Sequence, residues 1–182
     1  MSRTEMPLPP LPLPRFVRSN QPNVLAVEYG ADSRLAAQAR RWVWTASRLH
    51  RLQAEPLVWI ANELFANSLR HTRSGLLGGK TRLTLTHLPN HLRIAATDEG
   101  PLPDSVPGEP YLSAETEAAP LGLGLTLVSA LATAWGWHGD QHGHTVWAEV
   151  ARPKPGKPII QFMPAVTRHA ATARLEAVAG ER

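Results

Sequence analysis

The 182-residue sequence predicts an α+β fold: a two-layer α/β sandwich whose mixed, mostly antiparallel sheet is covered on one face by helices. Three observations predict it. Apolar residues alternate with polar ones in 81–88, 91–98 and 144–150, which is strand spacing. They recur every third or fourth position in 35–49 and crowd nearly every side of 57–69, which is helix spacing. No strand is followed by GxGxxG, so a dinucleotide-binding doubly wound sheet is not expected.

The elements follow in order. PLPPLPLP at 7–14 holds five of the 17 prolines and predicts an extended, polyproline-like arm over 1–21 with no packing of its own. NVLAVEYG reads as a strand ending at Gly30. Asp32 or Ser33 supplies a side-chain oxygen to cap a helix running to about Leu52, along a stripe of Leu35, Ala39, Trp42, Val43, Ala46 and Leu49. Pro56 suits the first turn of a second helix that reaches about His71. TRLTLTHL and HLRIAATD alternate around Pro89-Asn90 as a hairpin. Residues 99–120 are rich in Pro and Gly and read as a loop long enough to be a functional lid. LGLGLTLVSALATAW makes a Gly-led helix, and WGWHGD and HTVWAEV close as paired strands. Pro153, Pro155, Pro158 and Pro164 mark a stiff linker, and VTRHAATARLEAVA a short helix after it. The folded domain is therefore set at 22–150, with extensions at 1–21 and 151–182.

Composition narrows the function classes. There is no cysteine, which excludes disulfides, thiolate zinc sites and cysteine nucleophiles. No apolar run of membrane-spanning or signal-peptide length occurs, so a cytoplasmic protein without a membrane partner is expected. The net charge of +4 suggests nucleic acid until its distribution is examined. Residues 1–20 carry +2 and residues 151–182 carry +4, leaving 21–150 at −2. The domain itself is slightly acidic and matches no nucleic-acid-reading motif, so nucleic acid is not the expected partner.

The second helix carries a polar notch. At roughly 100° per residue, Asn67 lies about 40° and His71 about 80° round from Glu63, and Arg70 about 20° the other way. The flanking Leu57, Val58, Ala61, Leu64, Phe65, Ala66 and Leu69 leave the helix apolar nearly all round, as buried helices are. A solvated stripe would account for Glu63 and Arg70. A phosphoryl-transfer site accounts for more: the Asn67 amide oxygen suits Mg²⁺, Glu63 can orient or deprotonate an attacking hydroxyl, and Arg70 can meet phosphate. Asp98 and Gly100, in AATDEGP, end a strand and offer an acceptor for an exocyclic amine beside a close backbone approach; an ordinary Asp-x-Gly turn is the alternative. Gly122 and Gly124 precede a helix whose N-terminus suits an anion, or simply make a pliant loop entry.

In this order the segments ELFANSLRHT (63–72), DEG (98–100), GLGL (122–125) and HTVWAEV (144–150) resemble the GHKL, or Bergerat-fold, ATP-binding superfamily. They are most similar to its anti-sigma-factor serine/threonine kinase branch. The likeness covers roughly 22–150. It implies the histidine-kinase-like ATPase fold and an ATP and Mg²⁺ site. In that site Asn67 holds the metal, Glu63 is the catalytic base, and Arg70 and His71 trail the same box. Asp98 and Gly100 take the adenine, Gly122, Leu123 and Gly124 lie by the phosphates, Thr145 helps hold the base, and 101–120 is the ATP lid. The implied function is phosphorylation of a serine on a STAS-type antagonist, sequestration of a sigma factor, or both; a homodimer is compatible with it. The sequence departs from the pattern at Leu102, where a second glycine is usual, and in the proline-heavy, acidic lid; both favour the rival expectation of a nucleotide sensor without turnover.

Other residues carry blander readings. His138, His142 and His144 read as a polar hairpin tip rather than a zinc site. The six tryptophans, Trp42, Trp44, Trp59, Trp135, Trp137 and Trp147, are expected mostly in the core.

Overall fold

The computed structural model describes residues 10–103 and 124–153. Its elements are β1 (Arg15–Val17), β2 (Val24–Gly30), α1 (Ala36–Ser47), α2 (Arg51–His71), β3 (Lys80–His87), β4 (His91–Thr97), α3 (Gly124–Leu131), β5 (Ala134–Asp140) and β6 (Gly143–Ala151). The strands form one sheet in the order β1-β2-β3-β4-β6-β5. Each pairing among the described residues is antiparallel, so the sheet is not mixed as expected.

Strand alternation divides the sheet into two faces. Val27 and Tyr29 of β2, Leu83 and Leu85 of β3, Leu92, Ile94 and Ala96 of β4, and Ala148 and Val150 of β6 are buried beneath the helices. Above them α1 contributes Ala39 and Val43, α2 contributes Leu57, Ile60, Leu64 and Phe65, and α3 contributes Leu125 and Val128. Tyr29 meets Phe65 edge-on at 5.6 Å, and burial pushes its hydroxyl up to about 12. The opposite face is polar: Arg82 pairs with Glu28 and Arg93 with Glu149, both at 2.6 Å.

Four local expectations need correcting. Asp32 caps as expected, accepting the Arg34 amide at 2.8 Å, but the capped turn is a short 3₁₀ segment ahead of α1. The first helix ends at Ser47, not Leu52, because Arg48 turns left-handed at φ 57° and breaks the hydrogen-bond ladder. The second helix therefore starts at Arg51, and Pro56 lies inside it, where its ring nitrogen has no hydrogen to give the Leu52 carbonyl. The third helix ends at Leu131: the Thr133 amide already bonds the Glu149 carbonyl at 2.8 Å, which commits Ala134 and Trp135 to β5.

The N-terminal arm also differs from expectation. Arg15–Val17 forms β1 on the free edge of β2, in register Phe16 to Val27, and Arg15 reaches Glu28 at 3.0 Å. An edge strand offers unpaired amides and carbonyls, and this stretch of the arm satisfies them. The expected lid lies almost wholly outside the described residues, as do Gly122, Leu123 and the C-terminal helix.

Candidate functional site

α2 packs against α1, α3 and β4 and carries the polar notch in its C-terminal half. Glu63 is only 15% exposed, which a solvated stripe does not explain. Asn67 lies one turn on, and Arg70 and His71 are exposed at the helix end. The Arg70 guanidinium joins the notch together: its Nη2 donates to Asn67 Oδ1 at 2.9 Å, stands 3.8 Å from Glu63 Oε2, and its Nε donates to the Ala66 carbonyl at 3.3 Å. Asn62 donates to Glu63 Oε1 at 3.4 Å and itself accepts from Arg40 of α1 at 2.7 Å. His71 is pushed below its ordinary value by partial desolvation and by the Arg70 cation.

The end of α2 is tied to the DEG segment. The Arg73 amide donates to the Gly100 carbonyl at 2.9 Å, and Thr72 bridges to Pro101. The Arg73 side chain donates to the carbonyls of Glu99 at 2.7 Å and Gln141 at 2.9 Å, fastening this corner to the β5–β6 turn. The C-terminal end of α2, which carries Asn67, is therefore tied to the segment that carries Asp98.

Asp98 is the most enclosed charged group there, its side chain 7% exposed. Its Oδ1 accepts the amides of Gly100 at 2.7 Å and His144 at 3.1 Å, while Oδ2 accepts no hydrogen bond from the described residues. Burial pushes the carboxyl above its ordinary value, against the pull of those two amides, His144 and Arg73. Gly100 is required by shape: at φ +84° a Cβ would stand 2.6 Å from the Gln141 carbonyl oxygen. Asp98 is thus a fixed acceptor with one oxygen to spend on a donor such as an exocyclic amine.

Thr145 is not brought to this group. It pairs with Thr97 across the strands, hydroxyl to hydroxyl at 2.8 Å, on the polar face of the sheet. Adjacent strand residues point to opposite faces, so the side chain beside Asp98 is His144. The His144 Nδ1 lies 3.9 Å from Asp98 Oδ1, and its ring meets Trp137 edge-on at 5.8 Å. The signal was present in the sequence, since Val146, Ala148 and Val150 set the inward parity of β6. Arg73 and Asn62 carry no comparable signal in the sequence, since their roles depend on contacts between elements.

Gly124 is the first residue of α3, whose Leu125 and Val128 pack into the core beside α2. No group of three metal-ligating His, Asp or Glu residues occurs among the described residues, and no helix there is long and apolar enough to cross a membrane. The family model described as a histidine kinase-like ATPase domain matches residues 29–150. A search of curated proteins found no match.

Proposed function

Because the chain belongs to the histidine kinase-like ATPase domain family, a GHKL-type family of ATP-binding domains, we propose that it is an Mg²⁺·ATP-dependent serine/threonine protein kinase of anti-sigma-factor type. Its substrate would be a serine on a STAS-type antagonist, and its other partner a sigma factor held in check.

The donor set fits the nucleotide and its metal. Asn67 offers a neutral amide oxygen of the kind Mg²⁺ accepts among its waters and phosphates, and would hold it. Asp98 would accept the amine of the base through Oδ2, and Gly100 lets the base approach the backbone. His144, rather than Thr145, would stand beside the base. Gly122, Leu123 and Gly124 would line the phosphates at the start of α3, and Arg70 and His71 would lie at their edge. The metal supplies charge neutralisation of the phosphates, which is much of the catalysis of phosphoryl transfer. The protein's own part is positional. Glu63, held nearly out of solvent one turn before Asn67, would accept the proton of the incoming serine hydroxyl.

The observation that carries this reading is the pairing of Glu63 and Asn67, one turn apart and half-buried, on the helix whose end is tied to the segment of Asp98, an acceptor with one oxygen uncommitted among the described residues. Incubation with labelled ATP and STAS-domain proteins tests it. Glu63→Ala should bind Mg²⁺·ATP within about threefold of wild type and lose at least about 100-fold in transfer rate; equal transfer by the two proteins would refute the kinase. One observation favours a second reading, a nucleotide sensor without turnover: Leu102 stands where a second glycine is usual, between Pro101 and Pro103. ATP binding with no transfer to any STAS partner would select it.

A further inference from the structure

The oxygen on Asn67 that suits Mg²⁺ is already spent on a cation. Arg70 Nη2 donates to it at 2.9 Å, and the same nitrogen stands 3.8 Å from Glu63. We propose that Arg70 is the resident cation of this notch, that Mg²⁺ must displace its guanidinium from Asn67 Oδ1, and that Arg70 therefore sets how strongly nucleotide binding depends on the metal. The inference rests on the ATP site proposed above.

The chemistry requires a contest. An amide oxygen has two lone pairs, so it can accept an arginine and a metal together as far as geometry goes. Charge forbids it. A divalent ion about 2.1 Å from that oxygen would lie only a few ångströms from the guanidinium, where like charges repel strongly even at an effective dielectric of about 20. One of them has to leave, and Arg70 is the one able to. Its side chain is 47% exposed, its approach to Glu63 is beyond hydrogen-bond range, and its remaining bond is to the Ala66 carbonyl of its own helix. An exposed arginine held in this way is released at little cost. The backbone of Asn67 stays in place meanwhile, because α2 is anchored in the core by Leu57, Ile60, Leu64 and Phe65.

A lone phosphate contact and a contest with the metal predict different results. If Arg70 only met phosphate, its loss would weaken ADP binding with and without Mg²⁺ by the same factor. If Arg70 contests the metal, its loss removes an opponent of Mg²⁺ but not of free ADP. The ratio of the ADP dissociation constant in EDTA to that in Mg²⁺ should then rise at least about fivefold.

Isothermal titration of the full chain with ADP, in EDTA and in excess Mg²⁺, for wild type, Arg70→Ala and Arg70→Gln, measures that ratio. A rise in both variants is expected. An unchanged or lower ratio overturns the inference and leaves the ATP site standing; no ADP binding by wild type under either condition overturns both. The wild-type protein gives an answer without substitution: the Arg70 Nε–Hε resonance should shift when Mg²⁺·ADP is added and far less with ADP in EDTA. Equal shifts in the two conditions, or none, overturn it as well.

Discussion

At the scale of single residues, Asp98 shows stability and function pulling apart. Burial raises its carboxyl above the ordinary value, so the folded chain holds this proton at pH values where the unfolded chain has lost it. The stabilising contribution is therefore present below the unfolded value of about 3.9 and lost as pH rises through the folded one. At neutral pH the ionised side chain costs stability. Asp98→Asn should consequently raise the melting temperature at pH 7, since the amide oxygen still accepts the Gly100 and His144 amides, and the gain should shrink on acidification. The same substitution replaces an acceptor with a donor where an amine is expected, and should weaken ATP binding at least about tenfold. Calorimetry and nucleotide titration check the two halves; a melting temperature that falls at pH 7, or unchanged affinity, would count against this role. That Asp98 ends a strand beside Gly100 was legible in the sequence, but an ordinary Asp-x-Gly turn reads the same way, and its enclosure by the His144 amide depends on the pairing of β4 with β6. That His144 and not Thr145 stands beside it was legible too, but only by carrying strand parity through to the site. What was not legible is that Arg70 joins Glu63 and Asn67, because helical angles give a shared face and not a hydrogen bond.

At the scale of elements, periodicity located the strands well and the helix ends poorly. β3, β4 and β6 fall where alternation placed them, since each buries one face against α1, α2 or α3. The helix boundaries moved because Arg48 in a left-handed conformation and the Thr133–Glu149 bond are decided by packing, not by composition. The tryptophans followed neither rule. Trp42 and Trp135 pack against the core, Trp44 and Trp59 are exposed on the helices, Trp137 is exposed beside His144, and Trp147 lies on the polar face under Arg93 at 4.5 Å from ring centroid to guanidinium. Gly136 makes room for that ring, since a Cβ there would come within 2.9 Å of it. One side chain fastens three element ends together. His87 of β3 has Nε2 at 2.9 Å from the Ala46 carbonyl of α1 and Nδ1 at 2.9 Å from Arg152, just past β6. Nε2 must carry the proton for the first contact and Nδ1 must be bare to accept from Arg152, so the ring is held neutral. Burial pushes His87 below its ordinary value; the Ala46 bond opposes this, and the Arg152 and Arg48 cations reinforce it. A depressed folded value means the stabilisation is present above the unfolded value of about 6.5 and is lost as pH falls through the folded one. His87→Gln should therefore lower the melting temperature by a few degrees at pH 8, and the difference from wild type should narrow towards pH 5. A pH-independent difference between the two melting curves would refute the neutral relay.

At the scale of the whole molecule, the N-terminal extension and the domain meet at one edge of the sheet. The +2 of residues 1–20 includes Arg15, which pairs with Glu28 of β2 while its side chain stays exposed. β1 also forms one wall of an apolar groove of about 860 Å³, lined by Phe16, Val17, Leu25, Trp42 and Ala46 among others, which none of Glu63, Asn67 and Asp98 lines. β2 and β3 stand between β1 and β4 in the sheet, so the N-terminal strand and the candidate ATP site lie at different ends of the strand order. Structure and function should then separate cleanly. Deleting residues 1–17 removes β1, leaves the amides and carbonyls of the β2 edge unpaired, and uncovers Leu25 and Trp42. The shortened protein should melt several degrees lower and self-associate more at high concentration, because an open apolar edge templates pairing with another chain. Its Mg²⁺·ATP affinity should stay within about twofold of the full chain, since neither the notch of α2 nor the anchoring of Asp98 touches the deleted strand. Scanning calorimetry, light scattering and nucleotide titration on the same two proteins decide it. A large loss of ATP affinity with a well-folded truncated domain would mean that the arm reaches the site by a route other than the sheet.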